Sequence, residues 1–167
     1  MIYVGLGANL PSDAYGAPEA TLRAALGLFG SHGLILGTCS PWYRSAPVPP
    51  SDQPWYVNGV ASAESALAPE GVLAALHDIE RALGRVRHER WEARVADLDL
   101  IAVDGLVIEG AGDGALCLPH PRAHERRFVL QPLADIAPDW RHPVIGRTAA
   151  EMLAALPPGD LEPLAAP

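Results

Sequence analysis

Two helical segments with the same start signal constrain the fold of this chain most strongly. Pro18-Glu19 and Pro69-Glu70 each combine a proline suited to the first helical turn with an acidic residue that favours a helix N-terminus. Apolar residues then recur at helical spacing, namely Leu22, Leu26 and Phe29 in the first segment and Val72, Leu76, Ile79 and Leu83 in the second. Because Gly30 and Gly84 follow these stripes, the sequence predicts two amphipathic helices that end at glycines.

Short β-rich runs surround the two helices, at residues 2–7, 34–44, 56–61 and 97–103. The order strand, helix, strand, strand, helix, strand is the split βαβ pattern of ferredoxin-like α+β sandwiches. We therefore expect a mainly antiparallel sheet flanked by helices on one face, with a hairpin and C-terminal helices added.

The C-terminal half supplies these additions. Leu106-Val107-Ile108 follows an Asp-Gly turn and is predicted to be the hairpin partner of the strand at 97–103. A last amphipathic helix is predicted at 148–156. Residues 1–157 are therefore expected to form a single domain, and residues 158–167 a loose C-terminal tail.

Charge composition excludes several classes of function. The formal net charge is −8, which argues against general binding to nucleic acid or to an anionic membrane. The chain contains no lysine, so a P-loop lysine or a Schiff-base lysine is excluded, and arginine is the available means of holding phosphate. Cys39 and Cys117 belong to no metal or redox motif, and no apolar run approaches membrane-spanning length. We expect a cytoplasmic protein with free thiols.

Asp97 and Asp99 open a hydrophobic strand. Residues two apart in a strand project from the same face, with Cβ atoms roughly 6 to 7 Å apart, so both carboxylates share one side with Ile101. Aspartate is a poor strand former, and neighbouring like charges repel unless a cation lies between them. The pattern favours a site for Mg²⁺ over the alternative of a solvated strand end.

An aromatic residue and an amide share a face of the strand that begins at Tyr56. Tyr56 and Asn58 could stack a flat heterocycle and hydrogen-bond its edge, although a tyrosine beside a turn-capping asparagine is common in strands. The preceding loop, 45–54, contains four prolines and is either a stiff wall beside a ligand or a rigid connector.

Positive side chains cluster on both sides of the paired aspartates. Residues 84–94 contain four arginines and one tryptophan without helical or strand periodicity, which favours a mobile phosphate-binding loop over a solvated charge run. His120 stands between two prolines and is predicted to donate to a phosphate oxygen. Metal binding by His120 with His124 is the weaker alternative, because no soft ligand is near them in sequence.

These segments together resemble the 6-hydroxymethyl-7,8-dihydropterin pyrophosphokinase family of folate biosynthesis. The resemblance covers residues 1 to about 143 in order and spacing. It is carried by YVGLGANL at 3–10, SPWYRS at 40–45, DQPWYVN at 52–58, GRVR at 84–87, Arg94 with DLD at 97–99, and PHPR through ERRFVL at 119–130. It implies transfer of the β,γ-pyrophosphoryl group of ATP to the hydroxymethyl oxygen of the pterin, with release of AMP.

The resemblance also implies roles for individual residues on the pterin side. Asp97 and Asp99 would hold two Mg²⁺ ions that bridge the ATP phosphates and the attacking hydroxyl. Tyr56 and Phe128 would sandwich the pterin ring. The polar edge of the ring would be bound by Asn58 and by the backbone around Ser45 and Val48.

On the ATP side the resemblance implies a loop of catalytic arginines. Arg85, Arg94 and Asp99 would be the catalytic residues, with the two arginines stabilising charge as AMP leaves. The remaining ATP contacts would be Glu80, Arg87, Trp91, His120 and Arg126. The protein is expected to act as a monomer on these two small molecules. Two alternatives remain. One is a different two-metal phosphoryl or nucleotidyl transferase, and the other is a non-catalytic pterin- or nucleotide-binding module.

Overall fold

The structure is a computed structural model of the chain and describes residues 1–84, 95–110 and 115–164. Within these ranges the strands are β1 (Ile2–Ala8), β2 (Ile35–Cys39), β3 (Tyr43–Ser45), β4 (Tyr56–Glu64), β5 (Asp97–Val103) and β6 (Leu161–Pro163). The α-helices of the same ranges are α1 (Pro18–Gly27), α2 (Pro69–Ala82), α3 (Arg127–Ile136) and α4 (Ala149–Ala155). No helix in this described part of the chain is long and apolar enough to cross a membrane.

The strands form one antiparallel sheet in the order β5-β1-β4-β3-β6, and β2 pairs with β4 beyond the end of β3. In the centre of the sheet, Gly5 of β1 lies between Val60 of β4 and Asp99 of β5. The expected α+β architecture with a mainly antiparallel sheet is confirmed. The predicted strand at 34–44 is divided into β2 and β3, and Ser40 at the break donates its backbone N–H to the Val60 carbonyl.

Helices cover both faces of the sheet, so the expectation of helices on one face is wrong. α1 and α2 pack on one face through a buried cluster that includes Leu22, Leu76 and Leu98. α3 and α4 pack on the other face through a second cluster that includes Leu133 and Ile101. The reason lies in β4 and β5, which carry fully buried apolar side chains on both faces, and both faces therefore need a cover.

The predicted helix starts are confirmed, whereas the first helix ends at Gly27, earlier than the predicted end at Gly30. α1 and α2 begin at Pro18 and Pro69, and Gly84 follows α2 with a φ of +90°, a conformation that glycine adopts without strain. α4 lies within the predicted range, and Thr148 caps it: the Glu151 N–H donates to the Thr148 hydroxyl oxygen, while the Thr148 N–H donates to the Glu151 carboxylate.

Two predictions for the C-terminal half are wrong. Ile108 forms a bridge with Leu118, and Leu106-Val107-Ile108 does not pair with β5, because the Leu106 N–H donates to the Val103 carbonyl and closes a turn after the strand. The expected loose tail contains β6, which pairs with β3 and extends the sheet at that edge.

Candidate active site

A cavity of about 480 Å³ lies on the face of the sheet that carries α3. Its floor includes Gly5 and Gly7 of β1, which lie beside Asp99 and Asp97 of β5 in the pairing register. A Cβ atom at Gly5 would lie 3.1 Å from Ile101 Cδ1, and one at Gly7 would lie 3.5 Å from Asn58 Oδ1. Side chains at these two positions would therefore fill space that the glycines leave to the cavity.

Asp97 and Asp99 both line this cavity, as expected for residues two apart in a strand. The side chain of Asp99 is 38% exposed, and Arg126 Nη1 lies 3.7 Å from Asp99 Oδ2. Among the described residues, no group of three or more His, Cys, Asp or Glu side chains is placed to hold a metal ion. Two accessible carboxylates fit a hard cation such as Mg²⁺, which keeps several waters or substrate oxygens in its coordination shell.

The five residues predicted for the pterin side are brought together in the cavity. Tyr56 and Asn58 come from β4, Ser45 ends β3, Val48 lies in the following loop, and Phe128 lies in the first turn of α3. The Asn58 amide Nδ2 donates to the Ser45 hydroxyl oxygen at 2.9 Å, and both residues are only 4% exposed. This buried hydrogen bond fixes the orientation of the amide at the cavity wall.

The proline-rich loop is attached to β1 by residues that sequence reasoning did not single out. Asn9, which is 2% exposed, donates through Nδ2 to Gln53 Oε1 and to the Pro54 carbonyl, each at 3.2 Å. The Tyr56 hydroxyl donates to the same Gln53 oxygen at 3.2 Å. The signal for Asn9 was its place directly after the glycine-containing strand. The hydrogen-bond partners of Asn9 could not be predicted from the sequence, because they lie 44 and 45 residues away along the chain.

His120 lines the cavity in a neutral form suited to donation. The backbone N–H of Arg122 donates to His120 Nδ1 at 3.2 Å, so a neutral ring carries its proton on Nε2. Burial, followed by the positive charge of Arg126, lowers the pKa of His120 to about 4. His124 is not among the residues that line the cavity, and its ring lies 6.0 Å from the ring of His142. The structure therefore does not bring His120 and His124 into one metal site.

Glu80 lies behind β5 and not in the cavity. It is 2% exposed on α2, and its Oε1 accepts a hydrogen bond from the Leu98 N–H at 2.8 Å. Leu98 stands between the two aspartates, so this carboxylate holds the backbone that carries them. The other predicted ATP and catalytic residues are Arg85, Arg87, Trp91 and Arg94, which lie outside the described residues.

Comparison with known proteins gives consistent matches over most of the chain. A family model described as 7,8-dihydro-6-hydroxymethylpterin-pyrophosphokinase matches residues 3–138. This chain is 40% and 42% identical to two proteins named 2-amino-4-hydroxy-6-hydroxymethyldihydropteridine pyrophosphokinase, from Methylorubrum extorquens and Pseudomonas aeruginosa respectively. The alignments cover 96% and 98% of this chain, respectively, and 96% of each relative.

A similar fold occurs in a solved structure of the HPPK-DHPS protein of Plasmodium falciparum. The TM-score is 0.73 at 14% sequence identity, and the match covers 92% of this chain and 43% of that one. At this identity the likeness concerns the fold alone.

Proposed function

We propose that this chain, which belongs to the 7,8-dihydro-6-hydroxymethylpterin-pyrophosphokinase family, takes the pyrophosphoryl group from ATP and releases AMP. The acceptor is the hydroxymethyl group of 6-hydroxymethyl-7,8-dihydropterin, and the reaction belongs to folate biosynthesis. One observation supports the assignment above the others: a single cavity of about 480 Å³ is lined by two carboxylates, two aromatic rings, a buried amide, a histidine and an arginine.

The aromatic and amide residues are proposed to bind the pterin. A pterin is flat and has a row of hydrogen-bonding groups along one edge, so stacking and an oriented amide together recognise it. Tyr56 and Phe128 would stack on the ring. Asn58, whose Nδ2 is already committed to Ser45, presents its carbonyl oxygen to a ring donor. Ser45 and Val48 would complete this wall with their backbone groups.

The charged residues of the cavity are proposed to bind the phosphates of ATP. Asp97 and Asp99 would hold two Mg²⁺ ions, which when bound supply neutralisation of phosphate charge. His120 donates through Nε2–H to a phosphate oxygen, and Arg126 offers guanidinium N–H groups to another. Arg126 Nη1 also lies 3.7 Å from Asp99 Oδ2, so the guanidinium is already placed beside one of the two carboxylates.

The roles of four residues that lie outside the described ranges are proposed from the sequence alone. Arg85 and Arg94 would stabilise the charge that develops as AMP leaves, and Arg87 and Trp91 would bind ATP. Glu80 is proposed to act on the ATP side indirectly, through the backbone of β5. We further propose a cytoplasmic monomer, in line with the two free cysteines.

A product assay tests the reaction. ATP, Mg²⁺ and 6-hydroxymethyl-7,8-dihydropterin should give AMP, and omission of either the pterin or Mg²⁺ should abolish it. Asp97→Ala and Asp99→Ala should each lower the rate by about 10³-fold or more, because each removes charge stabilisation worth several kcal/mol. Asp139→Ala is the matched control, since Asp139 is exposed and does not line the cavity.

The alternative outcomes are distinct. ADP or inorganic pyrophosphate in place of AMP would indicate a different phosphoryl or nucleotidyl transferase. Tight binding of the pterin without any product would indicate a binding module. Full turnover by either aspartate variant would refute the metal assignment.

A further inference from the structure

The segment that follows α4, residues 156–164, is attached to two walls of the cavity. We call it the C-terminal strap. It lies beyond residues 3–138, the part of the chain that the family model matches. One end of the strap contacts the beginning of α3, and the other end is β6, which pairs with β3. α3 begins next to Phe128 and β3 ends at Ser45, and both of these residues line the cavity.

Arg127 makes the attachment to α3. Its Nε donates to the Pro157 carbonyl at 2.8 Å, and its Nη2 donates to the Leu156 carbonyl at 3.3 Å. The neighbours of Arg127 in sequence, Arg126 and Phe128, both line the cavity, while Arg127 does not. The side chain of Arg127 therefore connects the strap to the helical turn that carries two cavity residues.

Backbone pairing makes the attachment to β3. Arg44 lies opposite Glu162, and Tyr43 lies opposite Pro163. The Leu164 N–H donates to the Trp42 carbonyl at 2.8 Å, which in an antiparallel ladder makes Tyr43 and Pro163 a non-hydrogen-bonded pair. Proline is tolerated at such a position because no N–H is needed there. Glu162 is consequently the residue that exchanges backbone hydrogen bonds with Arg44.

β3 is only three residues long, and its last residue holds the amide of Asn58 through the Ser45 hydroxyl. So short a strand keeps its position through its neighbours, which here are β4 on one side and β6 on the other. We propose that the C-terminal strap is a positioning element for the pterin side of the cavity, acting through Ser45 and Phe128. This inference rests on the proposed function, since it names the substrate whose binding the strap supports.

Two substitutions in the full-length protein separate the two attachments. Glu162→Pro removes the backbone N–H that pairs with Arg44, and Glu162→Ala is its matched control because it removes the side chain and keeps that N–H. Arg127→Ala removes both donors to the strap. Arg141→Ala is the control for it, since Arg141 also donates to a backbone carbonyl, that of Gly146, and does not line the cavity.

Steady-state kinetics of AMP formation are measured for each substrate in turn. Glu162→Pro and Arg127→Ala should raise KM for the pterin by about 3- to 10-fold, the effect of losing one or two hydrogen bonds. KM for ATP should stay within about 2-fold of wild type in Glu162→Pro, and in Arg127→Ala it should rise less than KM for the pterin, because the neighbouring Arg126 is proposed to contact ATP. For both variants kcat at saturating pterin should stay within about 2-fold of wild type, as should every constant of the two control variants. Circular dichroism verifies folding at the assay temperature, and Arg127→Ala carries the test if Glu162→Pro does not fold.

An unchanged pterin KM in folded Arg127→Ala and Glu162→Pro would overturn the strap proposal while wild-type turnover leaves the proposed function intact. Equal changes in both KM values would also overturn it, because they indicate general loosening of the protein. A wild type that makes no AMP from ATP and the pterin would overturn the proposed function and, with it, the pterin-positioning role of the strap.

Discussion

Replacement of Glu80 by alanine should destabilise the protein from a position outside the cavity. The Glu80 carboxylate is 2% exposed and accepts a hydrogen bond from the Leu98 N–H at 2.8 Å. Leu98 itself is 2% exposed, so its N–H would lose its acceptor in a place that water does not readily reach. A buried donor without a partner costs free energy that the rest of the fold must offset.

The hydrogen bond gives the size of the effect. Leaving the buried Leu98 N–H without its acceptor costs about 1.5–3 kcal/mol of unfolding free energy. For a chain of 167 residues, each kcal/mol lowers Tm by about 2–4 °C, so Glu80→Ala should lower Tm by about 3–12 °C. Glu80→Gln retains an oxygen that can accept from Leu98 and should lose less. Glu70→Ala, at an exposed carboxylate in the first turn of the same helix, should cost under about 1 kcal/mol.

Thermal and denaturant unfolding of the four proteins measures these differences, and steady-state kinetics on the same samples measures KM for ATP. Glu80→Ala should be less stable than Glu70→Ala and should lose activity through a lower kcat, because Leu98 lies between Asp97 and Asp99. A variant as stable as wild type that shows only a raised KM for ATP would refute this reasoning. That result would favour a direct contact between Glu80 and the nucleotide.

Two further substitutions test groups with defined surroundings. Burial, followed by Arg126, lowers the pKa of His120 from 6.5 to about 4. Since the unfolded chain then binds more protons between those values, the contribution of His120 to stability is present above pH 6.5 and is lost as pH falls towards 4. In unfolding measurements without Mg²⁺, His120→Asn should therefore reduce the loss of unfolding free energy between pH 6.5 and 4 by up to about 3 kcal/mol. An equal loss in the variant and in the wild type would contradict the lowered pKa of His120. Thr148→Ala removes the acceptor for the Glu151 N–H at 3.1 Å and should cost about 1 kcal/mol in denaturant unfolding, whereas an unchanged midpoint would show that the capping box contributes nothing.

Short sequence patterns predicted most of the features that depend on interactions between residues close together in the chain, such as helix starts and the faces of strands. Pro18 and Pro69 marked helix starts because a missing N–H costs nothing in the first turn, and Asp97 with Asp99 marked a shared face because a strand has a period of two. The residues of the proposed pterin site were assigned through a resemblance that joins several weak motifs. Composition and periodicity alone left Tyr56 and Asn58 as ordinary strand residues.

Partners distant in sequence were not predictable in the same way. The tail at 158–167 contains proline, glycine and acidic residues and no strand alternation, yet three of its residues become β6 because β3 offers a free edge. Glu80 was assigned to the nucleotide through the resemblance, and its helical position says nothing about the strand packed behind it. The placement of helices on the second face was missed because strands buried on both sides lack the polar alternation of a one-sided sheet.

β5 shows how the fold can hold two like charges side by side. On one face Leu98 and Leu100 are 2% and 4% exposed and pack into the cluster under α1 and α2, while Glu80 holds the Leu98 N–H from the same side. On the other face the aspartates open into the cavity above the glycines of β1. Burial of the two leucines contributes several kcal/mol by area, more than a partly exposed carboxylate pair costs in a strand. The strand can therefore present both carboxylates without losing its place in the sheet.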